Sequence, residues 1–149
     1  MDTLPAQDYT AVKDSWAKVR ALDETWITQG KMILSTIFEL APEAKKLYSF
    51  EDQTGEEYEK SVEKHVQKLM GGMDKGITQW GTPEGQKYLN DLGKRHVNYK
   101  VVMDHYPVVG KAVLINLEKA LGAAWTPELA KSWGAFYGSL TKVMTEGVY

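Results

Sequence analysis

The stretch from Thr54 to Gln79 reads TGEEYEKSVEKHVQKLMGGMDKGITQ. Within it Tyr58, Val62, His65, Val66, Leu69, Met73 and Ile77 recur at three- and four-residue steps. That spacing puts them on one face of a helix. Glu59, Glu63, Lys64 and Gln67 fall elsewhere on the same cylinder. Thr54-Gly55-Glu56-Glu57 has the Thr-x-x-Glu form of a capping box and marks the expected helix start. A histidine on an apolar stripe points inward, so His65 is the first residue that needs a reason.

Outward from this helix, no segment alternates apolar and polar residues over a strand's length, and helical spacing dominates. Capping residues, often with proline in the first turn, mark the starts. Thr3-Leu4-Pro5 begins a helix to about Leu22, and Asp23 caps a second to about Leu40. Ala41-Pro42-Glu43 breaks that helix and starts a short third. Thr82-Pro83-Glu84 opens a helix ending near His96, and there Tyr88, Leu89, Leu92 and His96 share a face. Asp104 with Pro107 opens the next, to about Leu121, and Thr126-Pro127-Glu128 the last, to about Gly147. Ser49 to Gln53 is expected to be the most mobile loop. Gly134-x-x-x-Gly138 is expected to allow close helix packing, and no apolar stripe is left over outside the core. The reading is an all-α chain with one domain spanning residues 1–149.

The 149 residues need no staple to fold, and there is no cysteine. That excludes a disulfide framework, thiolate metal sites and a catalytic thiol, and it fits a cytoplasmic location. With 18 basic and 20 acidic residues the chain gives no electrostatic reason to bind nucleic acid or an anionic membrane. The longest run free of Asp, Glu, Lys and Arg, Ser132 to Thr141, is too short to span a bilayer. Met1-Asp2-Thr3 lacks the layout of a signal peptide, and Asp2 stands where myristoylation needs glycine. Phosphate-binding glycine loops, His-Glu-x-x-His and Gly-x-Ser-x-Gly are absent, and no carboxylate pair stands out as acid and base.

Only three histidines are present: His65, His96 and His105. A single inward histidine is usually a hydrogen-bonded core residue. Two on separate helices also fit a flat apolar cofactor such as haem, which needs a nitrogen ligand and a wide apolar lining. Leu34, Ile37, Phe38, Tyr48, Val66, Leu69, Leu92, Val102 and Tyr106 offer that lining.

The chain resembles the globin family from end to end, with similarities to plant haemoglobins and neuroglobin-like members. Trp16 matches the tryptophan common in the first helix. Gly30-Lys-Met-Ile-Leu34-Ser-Thr-Ile-Phe38 followed by Pro42 is similar to the second helix and its proline-started successor. Lys64-His65-Val66-Gln67-Lys68-Leu69 resembles the distal helix, and Leu92-Gly93-Lys94-Arg95-His96 the proximal helix. His105-Tyr106-Pro107-Val108-Val109, Trp125-Thr126 and Trp133 through Tyr137 resemble the plant haemoglobins.

The resemblance implies a globin fold of about seven to eight helices, three on three, around haem b. It makes His96 the proximal iron ligand, with the Leu92 carbonyl expected to accept its other N–H. His65 becomes the distal residue, donating to bound O2 or itself the sixth ligand. Leu69 limits the pocket, and Leu34 and Phe38 close it. Lys68, Arg95 and Lys100 are within range of haem propionates, or are simply solvated. His105 is read as surface or capping. The implied function is reversible binding of O2, CO and NO for transport, storage or sensing. The alternative is a haem redox enzyme (NO dioxygenase, nitrite reductase or peroxidase-like) served by an external reductase. Leu34 favours the first, since flavohaemoglobins usually carry tyrosine there.

Two features depart from the family pattern. Tyr48 occupies the place where globins almost always stack a phenylalanine on haem, unless a local shift brings Phe50 there. The interval from Tyr48 to His65 is short, so the small helix some globins insert is expected to be reduced or missing. Leu34 and this short loop favour pentacoordinate ferrous iron over a bis-histidyl site. Oligomeric state is left open by composition.

Overall fold

The computed structural model describes residues 4–148. The chain folds into α1 (Ala6–Leu22), α2 (Ile27–Leu40), α3 (Gly55–Thr78), α4 (Pro83–Asn98), α5 (His105–Leu121) and α6 (Pro127–Thr145). Two 3-10 helices, Pro42–Leu47 and Gly122–Ala124, follow α2 and α5. No strand occurs among the described residues. The all-helical expectation holds, and no helix lies between Leu47 and Gly55. Thr3 and the other extreme N-terminal residues lie outside the described residues.

Local chemistry explains most helix starts. Thr82 Oγ1 accepts from Gly85 N at 3.0 Å and Thr126 Oγ1 from Leu129 N at 3.1 Å, each ahead of a first-turn proline. Each bond satisfies one of the donors a helix start leaves unpaired. The Thr54 box is not formed: that residue is extended, but its side chain makes no cap bond. Asp23 does not adjoin α2. Its carboxylate reaches forward to Gln29 N at 2.9 Å across a turn in which Trp26 has φ +63°. Asp104 makes no side-chain cap; instead His105 Nδ1 accepts from Val102 N at 3.0 Å. His105 thus serves the turn, as expected.

The main core joins α1, α5 and α6 to the second half of α3. Trp133 and Phe136 are fully buried at its centre, and Trp133 Nε1 donates to Ser15 Oγ at 2.9 Å. Asp74 ties α3 to α1 by accepting from Trp16 Nε1 at 2.9 Å and Arg20 at 3.4 Å. Tyr9 Oη adds a bond to the Ile77 carbonyl at 2.8 Å. Asn116 is buried polar, its Nδ2 donating to Thr36 Oγ1 at 2.9 Å and the Ala112 carbonyl at 2.8 Å. A smaller cluster of Leu34, Phe50, Val62 and Val66 holds the first half of α3 against α2.

Glycines set the crossings, though not those expected. Gly30 lies so close to Val66 that a Cβ there would stand 2.6 Å from the valine Cβ. Gly93 backs onto the Met144 carbonyl and lets α4 lie against α6. Gly134 and Gly138 face open space and pack against nothing, which corrects the reading of that pair. The loop after Tyr48 is likewise anchored, because Phe50 is buried.

Candidate functional site

α4 and α3 bring His96 and His65 to the same place. Both imidazoles are half-buried. His96 Nδ1 lies 2.7 Å from the Leu92 carbonyl one turn earlier. A carbonyl only accepts, so Nδ1 carries the proton and Nε2 keeps the lone pair that binds a metal. Tyr106, at the start of α5, stacks on the His96 ring with centroids 6.0 Å apart and 28° between planes.

Burial disfavours the charged form of both rings. Burial lowers the His96 pKa; the bond to Leu92 opposes this and the Arg95 charge adds to it. Burial also lowers the His65 pKa, with further contributions from Lys68 and from His96 itself. The two histidines are close enough for a charge on one to disfavour a charge on the other. Neutral imidazole is the ligand form, so the donor set fits an iron porphyrin held through His96.

The rest of the expected lining divides. Leu34 is buried, and Phe38 packs beside it with Tyr48 and Tyr58. Leu69 and Leu92 are partly buried against the main core, which also contains Tyr106. Lys68 and Arg95 are exposed, each near enough to its histidine to lower that pKa. Lys100 is exposed beyond α4. Val102 stands 51% exposed. The reason is the turn after α4. Lys100 adopts φ +65°, and Val101 N bonds back to the His96 carbonyl at 3.0 Å. That closure sets Val101 rather than Val102 against the core. Val97 at the end of α4 is exposed, as are Tyr99 and Met103 after it.

Tyr48 and Phe50 have separate places. Tyr48 is partly buried, its ring edge-to-face with His65 at 4.7 Å, and burial raises its phenol pKa. Phe50 is 3% exposed, in the small cluster behind His65. Tyr48 and Phe50 thus both border His65. Sequence reading missed Phe50 as a neighbour of His65; its only signal is an aromatic in an otherwise polar loop.

Comparison with known proteins gives a concordant answer. The Globin family model matches residues 31–144. Neuroglobin of Danio rerio is 28% identical over 152 residues, covering 99% of this chain and 94% of the relative. Leghemoglobin of Medicago sativa is 32% identical over 117 residues, covering 76% of this chain and 79% of the relative. Among solved structures, a Drosophila melanogaster globin superposes with a TM-score of 0.78 at 17% identity, covering 95% and 93% of the two chains. A structure of the Drosophila melanogaster hexa-coordinate hemoglobin gives 0.82 at 16% identity, covering 98% and 96%. With its helical order, its opposed histidines and a family match over most of its length, the chain belongs to the globin family.

Proposed function

We propose that this globin binds haem b through His96 Nε2 and takes up O2, CO and NO reversibly, for transport, storage or sensing in the cytoplasm. The observation that carries the reading is the 2.7 Å bond from His96 Nδ1 to the Leu92 carbonyl, which fixes the tautomer and orients the ring as a ligand. Haem iron, once held, supplies reversible binding of diatomic gases. Family membership supports the haem, and the lack of cysteine supports a reducing compartment.

The chain's residues supply the rest. His65 would offer an N–H to a gas held at the haem. Such a bond contributes about 1–3 kcal/mol, up to ~100-fold in affinity. Leu34, Leu69 and Phe38 keep water out, which strengthens that bond. Lys68 and Arg95 stand at the exposed side of the two histidines, as partners for propionates. We favour an open sixth position in the reduced protein. Leu34 and the short interval between Tyr48 and His65 support this.

Absorption spectra in the ferric, deoxy and CO-bound states test this. A Soret band in the wild type, its loss in His96→Ala and partial return with added imidazole are expected. No Soret band after haem reconstitution sinks the haem reading. One broad visible band in the deoxy form supports the open position; two sharp bands refute it.

A further inference from the structure

The Leu92 carbonyl holds His96 at one atom, and one contact leaves an imidazole free to rock. The second support is the Tyr106 ring, which stacks on it with centroids 6.0 Å apart. Tyr106 is buried and stands in the first turn of α5, a helix that starts without a side-chain cap. That turn is held from another element. Tyr137 of α6 donates from Oη to the Tyr106 carbonyl at 2.7 Å. The same phenol oxygen meets the Thr141 side chain and the Gly110 backbone, which fix its direction. Gly110 makes room for the phenol, because a Cβ there would overlap the Tyr137 ring. A line of contacts thus runs from α6 through Tyr106 to the face of His96.

We propose that Tyr137 is a positioning residue for His96: it fixes the first turn of α5, so that the Tyr106 ring holds the imidazole plane and keeps Nδ1 aligned with the Leu92 carbonyl. The inference rests on the reading that His96 is the haem ligand. A hydrogen bond weakens steeply as its donor leaves alignment. An aligned Nδ1 bond raises the basicity of the opposite ring nitrogen. Loss of the Tyr137 hydroxyl therefore weakens the hold of Nε2 on iron. A bond that only tied α5 to α6 would lower stability and leave the imidazole as it was.

The test uses Tyr137→Phe, Tyr106→Phe, Tyr106→Leu and the Tyr106→Leu/Tyr137→Phe double variant. Resonance Raman spectra of the deoxy form give the iron–histidine stretching band. Proton–nitrogen NMR of histidine-labelled protein, reduced and saturated with CO, follows solvent exchange of the His96 Nδ1 proton. Tyr137→Phe is expected to lower the stretching frequency and to speed Nδ1 exchange about fivefold, the effect of one lost hydrogen bond. Tyr106→Leu removes the stacked ring and should do the same. Tyr106→Phe keeps both ring and carbonyl and should match the wild type. In the Tyr106→Leu background Tyr137→Phe adds nothing, since its effect runs through the missing ring. A lowered melting temperature in Tyr137→Phe with the wild-type stretching band and Nδ1 exchange overturns the proposal, leaving the bond as a structural tie. A further shift in the Tyr106→Leu background, or a Tyr106→Phe shift as large as that of Tyr137→Phe, also overturns it. Should the chain bind no haem, the Raman band is missing and that reading fails, while Nδ1 exchange still decides whether Tyr137 positions His96.

Discussion

Gly30→Ala adds one methyl to the crossing of α2 and α3. A Cβ there stands 2.6 Å from Val66 Cβ, 3.1 Å from Val66 Cγ2 and 3.3 Å from Met70 Cγ. Val66 and Met70 are fully buried, so neither can move aside into solvent. Carbon atoms pack at about 3.5–4.0 Å, and the helices must therefore part by about 1 Å at this point. Overpacking of this kind costs about 1–3 kcal/mol. Replacing glycine within a helix returns about 0.5–1 kcal/mol. The expected net loss is about 0–2.5 kcal/mol, centred near 1, which corresponds to a fall in Tm of about 2–4 °C for a chain of this length. Gly134→Ala and Gly138→Ala in α6 make the matched control, because nothing lies within 4 Å of either added Cβ. They gain only the helix contribution, about 0.5–1 kcal/mol each. Thermal unfolding followed by far-UV circular dichroism should show the same methyl acting with opposite sign. A Gly30→Ala midpoint equal to or above wild type, or a lowered Gly134→Ala midpoint, would refute the packing argument.

Other perturbations follow from single contacts. Tyr48→Phe keeps the ring against His65 and removes only the hydroxyl; it should change the O2 release rate or the ferric spectrum, and no change in either shows the hydroxyl idle. Lys100→Gly relieves φ +65° at the end of α4 and should raise Tm by about 2 °C; a fall shows that the lysine side chain matters more than the backbone. Tyr137 Oη donates to the Tyr106 carbonyl at 2.7 Å, and burial raises its pKa far above the usual value. Its phenol ionises first in the unfolded chain, so the stability it contributes is present below about pH 10 and lost above it. Tyr137→Phe should therefore unfold more easily at neutral pH, yet lose less stability than wild type between about pH 10 and 12 in urea titrations. Parallel pH curves for the two proteins refute the assignment.

What the sequence disclosed follows the range of the forces involved. Thr82 and Thr126 cap their helices through bonds that span three residues, so a local pattern announces them. The spacing of His96 to Leu92 is equally local, and the bond it implies is present. Asp23 and Thr54 have the same composition cues, but φ +63° at Trp26 and φ +60° at Gly55 re-aim the chain beside them. No residue pattern announces a left-handed tryptophan or lysine. At Lys100 the turn packs Val101 against the main core. Phe50 was hidden for a different reason: its burial depends on Leu34, Val62 and Val66 arriving from two other elements.

Helix α3 is fastened unequally along its length. Its second half is bolted to α1 through Asp74 and the Ile77 carbonyl and lies within the large core. Its first half, which carries His65, rests on the small cluster and on surface ion pairs from Lys31 to Glu59 and Glu63. A smaller cluster and exposed charge pairs imply a lower free energy of local opening here than in the second half. Native-state hydrogen exchange is expected to divide this one continuous helix, the segment bearing His65 exchanging ahead of α1, α5 and α6. Damage confined to that segment disables the histidine before it registers in global unfolding, so a variant with an unchanged melting curve can still have lost its distal residue.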